Sequence, residues 1–72
     1  MNLQDLKTHI GKRIKTLRQE KGWTQKLLGQ KTDSTEAYIC ELEAGKRSLS
    51  IRKLCRIAEA LDAEVTVLIE LK

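Results

Sequence analysis

Apolar residues return every three or four positions through the first part of the chain: Leu3, Leu6, Ile10, Ile14 and Leu17. That spacing lines one face of a helix running from about Leu3 to Lys21. Lys7, Lys12, Arg13, Lys15 and Arg18 fall on its other faces. Gly22 stands where a helix closes on a left-handed residue. Gly11 lies inside the stripe at a cost of about 1 kcal/mol against alanine, so it implies the close approach of another helix.

Shorter segments follow. Thr24 reads as the N-cap of a second helix ending near Lys31, with Leu27 and Leu28 as its apolar face and Trp23 packing back on one of them as a staple. A third helix begins within Asp33-Ser34-Thr35 and runs to about Glu43 or Ala44. Asp33 with Glu36 forms a candidate capping box, and Thr35 is the rival cap. Ile39 and Leu42, with Tyr38, make the inward stripe, and Gly45 closes the segment. A fourth helix starts at the N-cap Ser50, buries Ile51, Leu54, Cys55, Ala58 and Leu61, and ends at Asp62.

The period then changes. Val65, Val67, Ile69 and Leu71 alternate with Glu64, Thr66, Leu68 and Glu70. Alternation with β-branched residues favours a strand over the other reading, a fifth helix with a broad apolar face. No other segment reads as a strand. Its unpaired edge would seek the same strand of a second copy across a two-fold axis, which makes Val65, Val67, Ile69 and Leu71 the expected dimerisation residues. The expected architecture is therefore all-α, a bundle of four helices over residues 1–62, with a dimerising C-terminal β-strand in residues 63–72.

A chain of 72 residues fits one domain that is marginal alone, because so short a chain buries only roughly 60% of its unfolded surface. Its apolar share of 40% excludes simple disorder. No stretch approaches the ~20 apolar residues of a membrane span, and no signal peptide is evident, so Met1 reads as a native start and the expected location is the cytoplasm. Cys40 and Cys55 read as reduced thiols. With the one histidine, His9, they cannot make a four-ligand zinc site, so no metal and no cofactor is expected.

The net charge of +4 is uneven. Residues 1–31 hold eight basic and two acidic side chains, residues 32–47 two and four, and residues 48–72 four and four. The basic first part suits either a polyanion partner or a solvated helix face. A Gly-rich phosphate loop and a Ser/His/Asp or Cys/His set are both missing, so an enzyme is not expected.

Two short helices joined by a few residues and packed on a longer basic helix describe a helix-turn-helix, whose second helix enters the major groove. The ordered set Ile10-Gly11-Lys12-Arg13-Ile14, Leu17-Arg18, Gly22-Trp23-Thr24-Gln25, Tyr38-Ile39, Leu42-Glu43, Gly45-Lys46-Arg47 and Ile57-Ala58-Glu59-Ala60-Leu61 resembles the Cro/C1-type (XRE) helix-turn-helix family. The resemblance covers about Ile10 to Leu61 and implies a lambda-repressor-like fold that regulates transcription by binding double-stranded DNA as a homodimer. It implies that Gln25 touches a phosphate and braces the recognition helix, that Arg18 and Glu43 form a structural salt bridge, and that Lys46 and Arg47 contact phosphate. Lys26 and Thr35 are further phosphate candidates.

With Ile39 and Leu42 turned inward, Glu36, Ala37, Cys40 and Glu41 face out. The resemblance favours Glu36, Ala37 and Glu41 as base readers, with Tyr38 nearby. Glutamate can accept from a cytosine amino group, and alanine can touch a thymine methyl. Two carboxylates facing DNA also repel phosphate, and a capping or solvating role for Glu36 and Glu41 stays open. Thr32, Asp33 and Ser34 depart from the family's Leu, Gly and apolar residue in the turn, which weakens the expected packing there; Leu49 replaces a frequent Pro. The tail, with Gly22-Trp23-Thr24-Gln25, is similar to HipB-like antitoxins, which implies a HipA-like toxin kinase as a further partner. The alternative function is a protein-interaction module that keeps this fold with little DNA affinity.

Overall fold

The side chains that open the helices determine where they begin. In the computed structural model, which describes residues 1–48 and 50–69, the elements are α1 (Leu3–Glu20), α2 (Gln25–Lys31), α3 (Glu36–Glu43), α4 (Ile51–Ala60) and α5 (Val65–Ile69). Asn2 Oδ1 accepts from the Asp5 amide at 2.8 Å, and Asp5 accepts in return from the Asn2 amide. This capping box lies outside the periodic stripe that locates α1, and the stripe alone does not reveal it. Thr24 accepts from the Leu27 amide, Thr35 from Tyr38 and Ser50 from Lys53, each at 3.0–3.1 Å. The cap of α3 is thus Thr35, and the Asp33/Glu36 box does not form.

Asp33 serves the preceding helix instead. It has φ 56°, the left-handed conformation that an Asp side chain tolerates better than most. Gly22, Gly45 and Asp62 have the same sign of φ. After each of these four residues, the next amide reaches back to a carbonyl in the last turn: Trp23 to Arg18, Ser34 to Gly29, Lys46 to Glu41 and Ala63 to Ala58. The first four helices therefore close by one device, which satisfies carbonyls that would otherwise be orphaned.

Ile10 and Ile14 of α1, Leu28 of α2, Ile39 and Leu42 of α3, Ile57, Ala58 and Leu61 at the end of α4, and Leu68 of α5 form the core. Leu6, Leu17, Trp23 and Leu54 pack around its edge. The expected faces are trimmed at both ends. Leu3 is 66% exposed and Ile51 79%, because the first turns of α1 and α4 project past the core. Cys55 is exposed as well, and the fully buried residue of that helix is Ile57.

The tail is helical, not a strand. α5 packs on α1 and α4, and Leu68 is fully buried. Alternation would have turned Leu68 away from Val65 and Val67, whereas helical spacing puts Val65 and Leu68, three apart, on one side. A strand with no neighbour leaves its amides and carbonyls unpaired, while a helix pairs its own; here the apolar tail also finds an apolar groove. Val65 and Val67 are half-buried within the chain and Ile69 is 39% exposed, so they do not form a pairing edge. Leu71 and Leu49 lie outside the described residues.

Candidate nucleic-acid interface

The placement of α3 begins with glycine. A Cβ on Gly11 would stand 2.5 Å from the Leu42 carbonyl oxygen and 2.7 Å from that of Glu43, so only glycine lets α1 lie this close to the end of α3. About two turns further along α1, Arg18 reaches the same end. Its Nε donates to Glu43 Oε2 at 2.7 Å and its Nη2 to Oε1 at 3.0 Å. The two side chains are 9% and 3% exposed. Arg18 Nη1 donates to the Trp23 carbonyl, and Gln25 Nε2 donates to Glu43 Oε1 at 3.0 Å. Glu43 therefore ties α1 and the start of α2 to the last turn of α3. Bidentate, charge-assisted geometry of this kind fixes orientation as well as distance.

The turn between α2 and α3 is equally close. A Cβ on Gly29 would meet the Ser34 carbonyl oxygen at 2.8 Å. Thr32, where an apolar residue would be usual, is fully buried with its hydroxyl donating to the Leu28 carbonyl at 2.8 Å. A buried hydroxyl with its bond made carries little penalty, so the turn packs despite its polar sequence. Lys53 of α4 completes it: Nζ donates to the Thr32 carbonyl at 3.1 Å and to Ser34 Oγ at 2.7 Å. Residue 53 had no marker in the sequence beyond being a lysine near the start of a helix.

Braced from behind, α3 presents Glu36, Ala37, Cys40 and Glu41 to solvent. Tyr38 is half-buried at the edge of that face, with the Arg47 guanidinium 5.0 Å and the Lys53 ammonium 5.5 Å from its ring centroid. Lys46 and Arg47 follow Gly45, whose backbone lies against Thr8 and whose carbonyl accepts from Gln4 Nε2 at 2.9 Å. That anchor fixes where the two basic residues leave the helix. Both are exposed, as are Lys26 and Thr35; Gln25 is half-buried over Glu43.

The acidity of α3 is largely compensated. Glu43 is neutralised by Arg18, and Glu41 Oε1 accepts from Arg47 Nε at 2.8 Å. Glu36 occupies the first turn, where the exposed amides of the helix favour a carboxylate. Elsewhere, Lys21 and Lys31 lie 5.3 and 4.7 Å from the centre of the Trp23 ring. Cys40 and Cys55 are free thiols, and His9 is half-buried on α1. Among the described residues, no group of His, Cys, Asp or Glu could hold a metal ion, and no helix is long and apolar enough to cross a membrane.

Comparison with known proteins agrees with this geometry. The helix-turn-helix family model matches residues 14–68. The transcriptional regulator RamB of Mycobacterium tuberculosis is 33% identical over 60 residues, covering 83% of this chain and 13% of RamB. The immunity repressor protein of Bacillus phage phi105 is 30% identical over 60 residues, 83% of this chain and 42% of the repressor. The chain thus spans well under two thirds of these relatives. Among solved structures, the restriction-modification controller protein C.AhdI of Aeromonas hydrophila superposes with a TM-score of 0.83 at 33% identity, over 89% of this chain and 96% of that one.

Proposed function

Because the chain belongs to the XRE-type helix-turn-helix family of transcriptional regulators, we propose that it is a repressor that reads double-stranded DNA by laying α3 in the major groove, two copies together occupying one operator. The observation that carries this reading is the exposed outer face of α3, held from behind by the Arg18–Glu43–Gln25 cluster and flanked by exposed Lys46 and Arg47. Backbone contacts would come from Gln25, Lys26, Thr35, Lys46 and Arg47, and base contacts from Glu36, Ala37, Tyr38 and Glu41. Phosphate contacts set position and base edges set sequence. The family's proteins are regulators and not enzymes.

Two copies are needed because each chain offers one reading helix and half-sites lie about 34–36 Å apart. The tail no longer supplies a pairing strand, so a dimer would form through helical surfaces. The likeness to HipB-like antitoxins rested on Gly22-Trp23-Thr24-Gln25 and the tail sequence, and the helical tail removes the pairing strand it implied; the repressor reading stands with or without a toxin kinase as a further partner.

Salt separates this function from a protein-interaction module. Affinity for duplex DNA should fall with a log–log slope of about −0.9 per phosphate neutralised. Arg47→Ala should weaken binding to all sequences alike, whereas changing Ala37 should alter which sequence is selected from a random library. Failure to bind any duplex at low salt would favour the protein-only reading, and a selected sequence that ignores position 37 would remove it from the reading set.

A further inference from the structure

The family resemblance favours Glu41 as a base reader and Arg47 as a phosphate contact, but the structure joins the two to each other. Arg47 Nε donates to Glu41 Oε1 at 2.8 Å, and the guanidinium lies 5.0 Å from the centre of the Tyr38 ring. Both partners are about half exposed, at 51% and 48%, on the side where α3 faces solvent. A carboxylate and a phosphate present the same anionic oxygen acceptors to a guanidinium, so they compete for the same N–H groups. We infer that Glu41 masks Arg47 from a DNA phosphate by taking its Nε–H and offsetting its charge, and that giving the Glu41 carboxylate wholly to a base first costs this ion pair. Glu41 is then a specificity-determining residue. It penalises docking on every duplex, and the penalty is recovered only where a base offers the released carboxylate a donor, as a cytosine amino group does.

The inference rests on the DNA-binding reading of α3. The scale follows from the exposure of the pair. Half-exposed ion pairs are worth about 0.2–1 kcal/mol, equivalent to roughly 1.4- to 5-fold in affinity. Exchange of Arg47 between two anions also fits a helix that carries glutamates and still faces a polyanion.

The test is a double-mutant cycle on the full chain, with wild type, Glu41→Gln, Arg47→Met and the double variant, titrated onto a mixed-sequence duplex at several salt concentrations. Glu41→Gln should tighten binding to the mixed-sequence duplex about two- to fivefold. Arg47→Met should cost several-fold more in the Glu41→Gln background than in wild type, because an unmasked Arg47 gives its full contact to phosphate. Equal costs in the two backgrounds, or a greater cost when Glu41 is present, would overturn the masking role while leaving DNA binding intact. Binding by none of the four proteins, with circular dichroism showing all of them helical, would overturn the DNA reading and the inference together.

Discussion

Replacing Arg18 by methionine should remove a large share of the protein's stability, although the methionine is apolar and close in size. The cost arises from what is left behind. The Glu43 side chain is 3% exposed and accepts from Arg18 Nε, Arg18 Nη2 and Gln25 Nε2. With Arg18 gone, one amide remains for a carboxylate that water barely reaches. Breaking a buried pair from one side costs about 3–5 kcal/mol. A domain of this size has roughly 4–11 kcal/mol in all, at about 0.05–0.15 kcal/mol per residue. Each kcal/mol moves the melting temperature of a 60–100-residue domain by about 4–8 °C, so the midpoint should fall by roughly 12–40 °C. The companion variant Arg18→Met with Glu43→Leu removes both charges and should recover most of that loss, since apolar replacement of a whole buried pair is often neutral or stabilising. Thermal unfolding followed by circular dichroism reads both. A single variant melting within a few degrees of wild type, or a double variant no better than the single, would refute the account of Glu43 as a buried charge that depends on Arg18.

Leu68→Ala should cost about 2–5 kcal/mol, as for other fully buried leucines, and chemical denaturation measures it; a loss under 0.5 kcal/mol would mean that α5 does not pack as described. Gly11→Ala should destabilise by roughly 1–3 kcal/mol despite better helix propensity, because the added methyl would meet the backbone of Leu42 and Glu43; a higher melting temperature would show that α1 and α3 can separate at no cost. Lys53→Met should cost about 1–2 kcal/mol and speed hydrogen exchange at the Ser34 amide, since the Thr32 carbonyl and Ser34 hydroxyl lose their ammonium donor. Unchanged exchange at Ser34 would leave Lys53 as a surface lysine.

Helices α1 to α4 were legible because their markers are local. A cap hydroxyl acts on an amide three residues away, and an apolar stripe repeats within a turn or two. Gly11 was legible for a related reason, since a glycine inside a good helical stripe has few explanations. Contacts between elements distant in sequence were not legible from local pattern; the Arg18–Glu43 pair, 25 residues apart, was expected only through the family resemblance. The bond from Lys53 to the turn spans about twenty residues, and the pairing of Arg47 with Glu41 depends on how the chain leaves Gly45. Asp33 shows two local signals in conflict. Its side chain suits an N-cap and also tolerates a left-handed backbone, and the need to close α2 won because Thr35 was available to open α3.

The tail shows most clearly where local pattern stops being decisive. Val65 to Ile69 fits a two-residue period and a helical face at once, since four of its five residues are apolar. Periodicity therefore could not choose, and β-branching tilted the choice toward a strand. What chose was the rest of the molecule. No other described segment offers an edge to pair with, while α1 and α4 leave an apolar groove that buries Leu68 completely. Tertiary burial outweighs intrinsic β-propensity whenever the propensity scale spans only about 1 kcal/mol and burying one leucine stabilises by about 1.5–3 kcal/mol. The same comparison bears on assembly. Once Leu68 serves the chain's own core, residues 65–69 offer no open strand edge, and the dimer proposed above cannot rest on pairing them as strands.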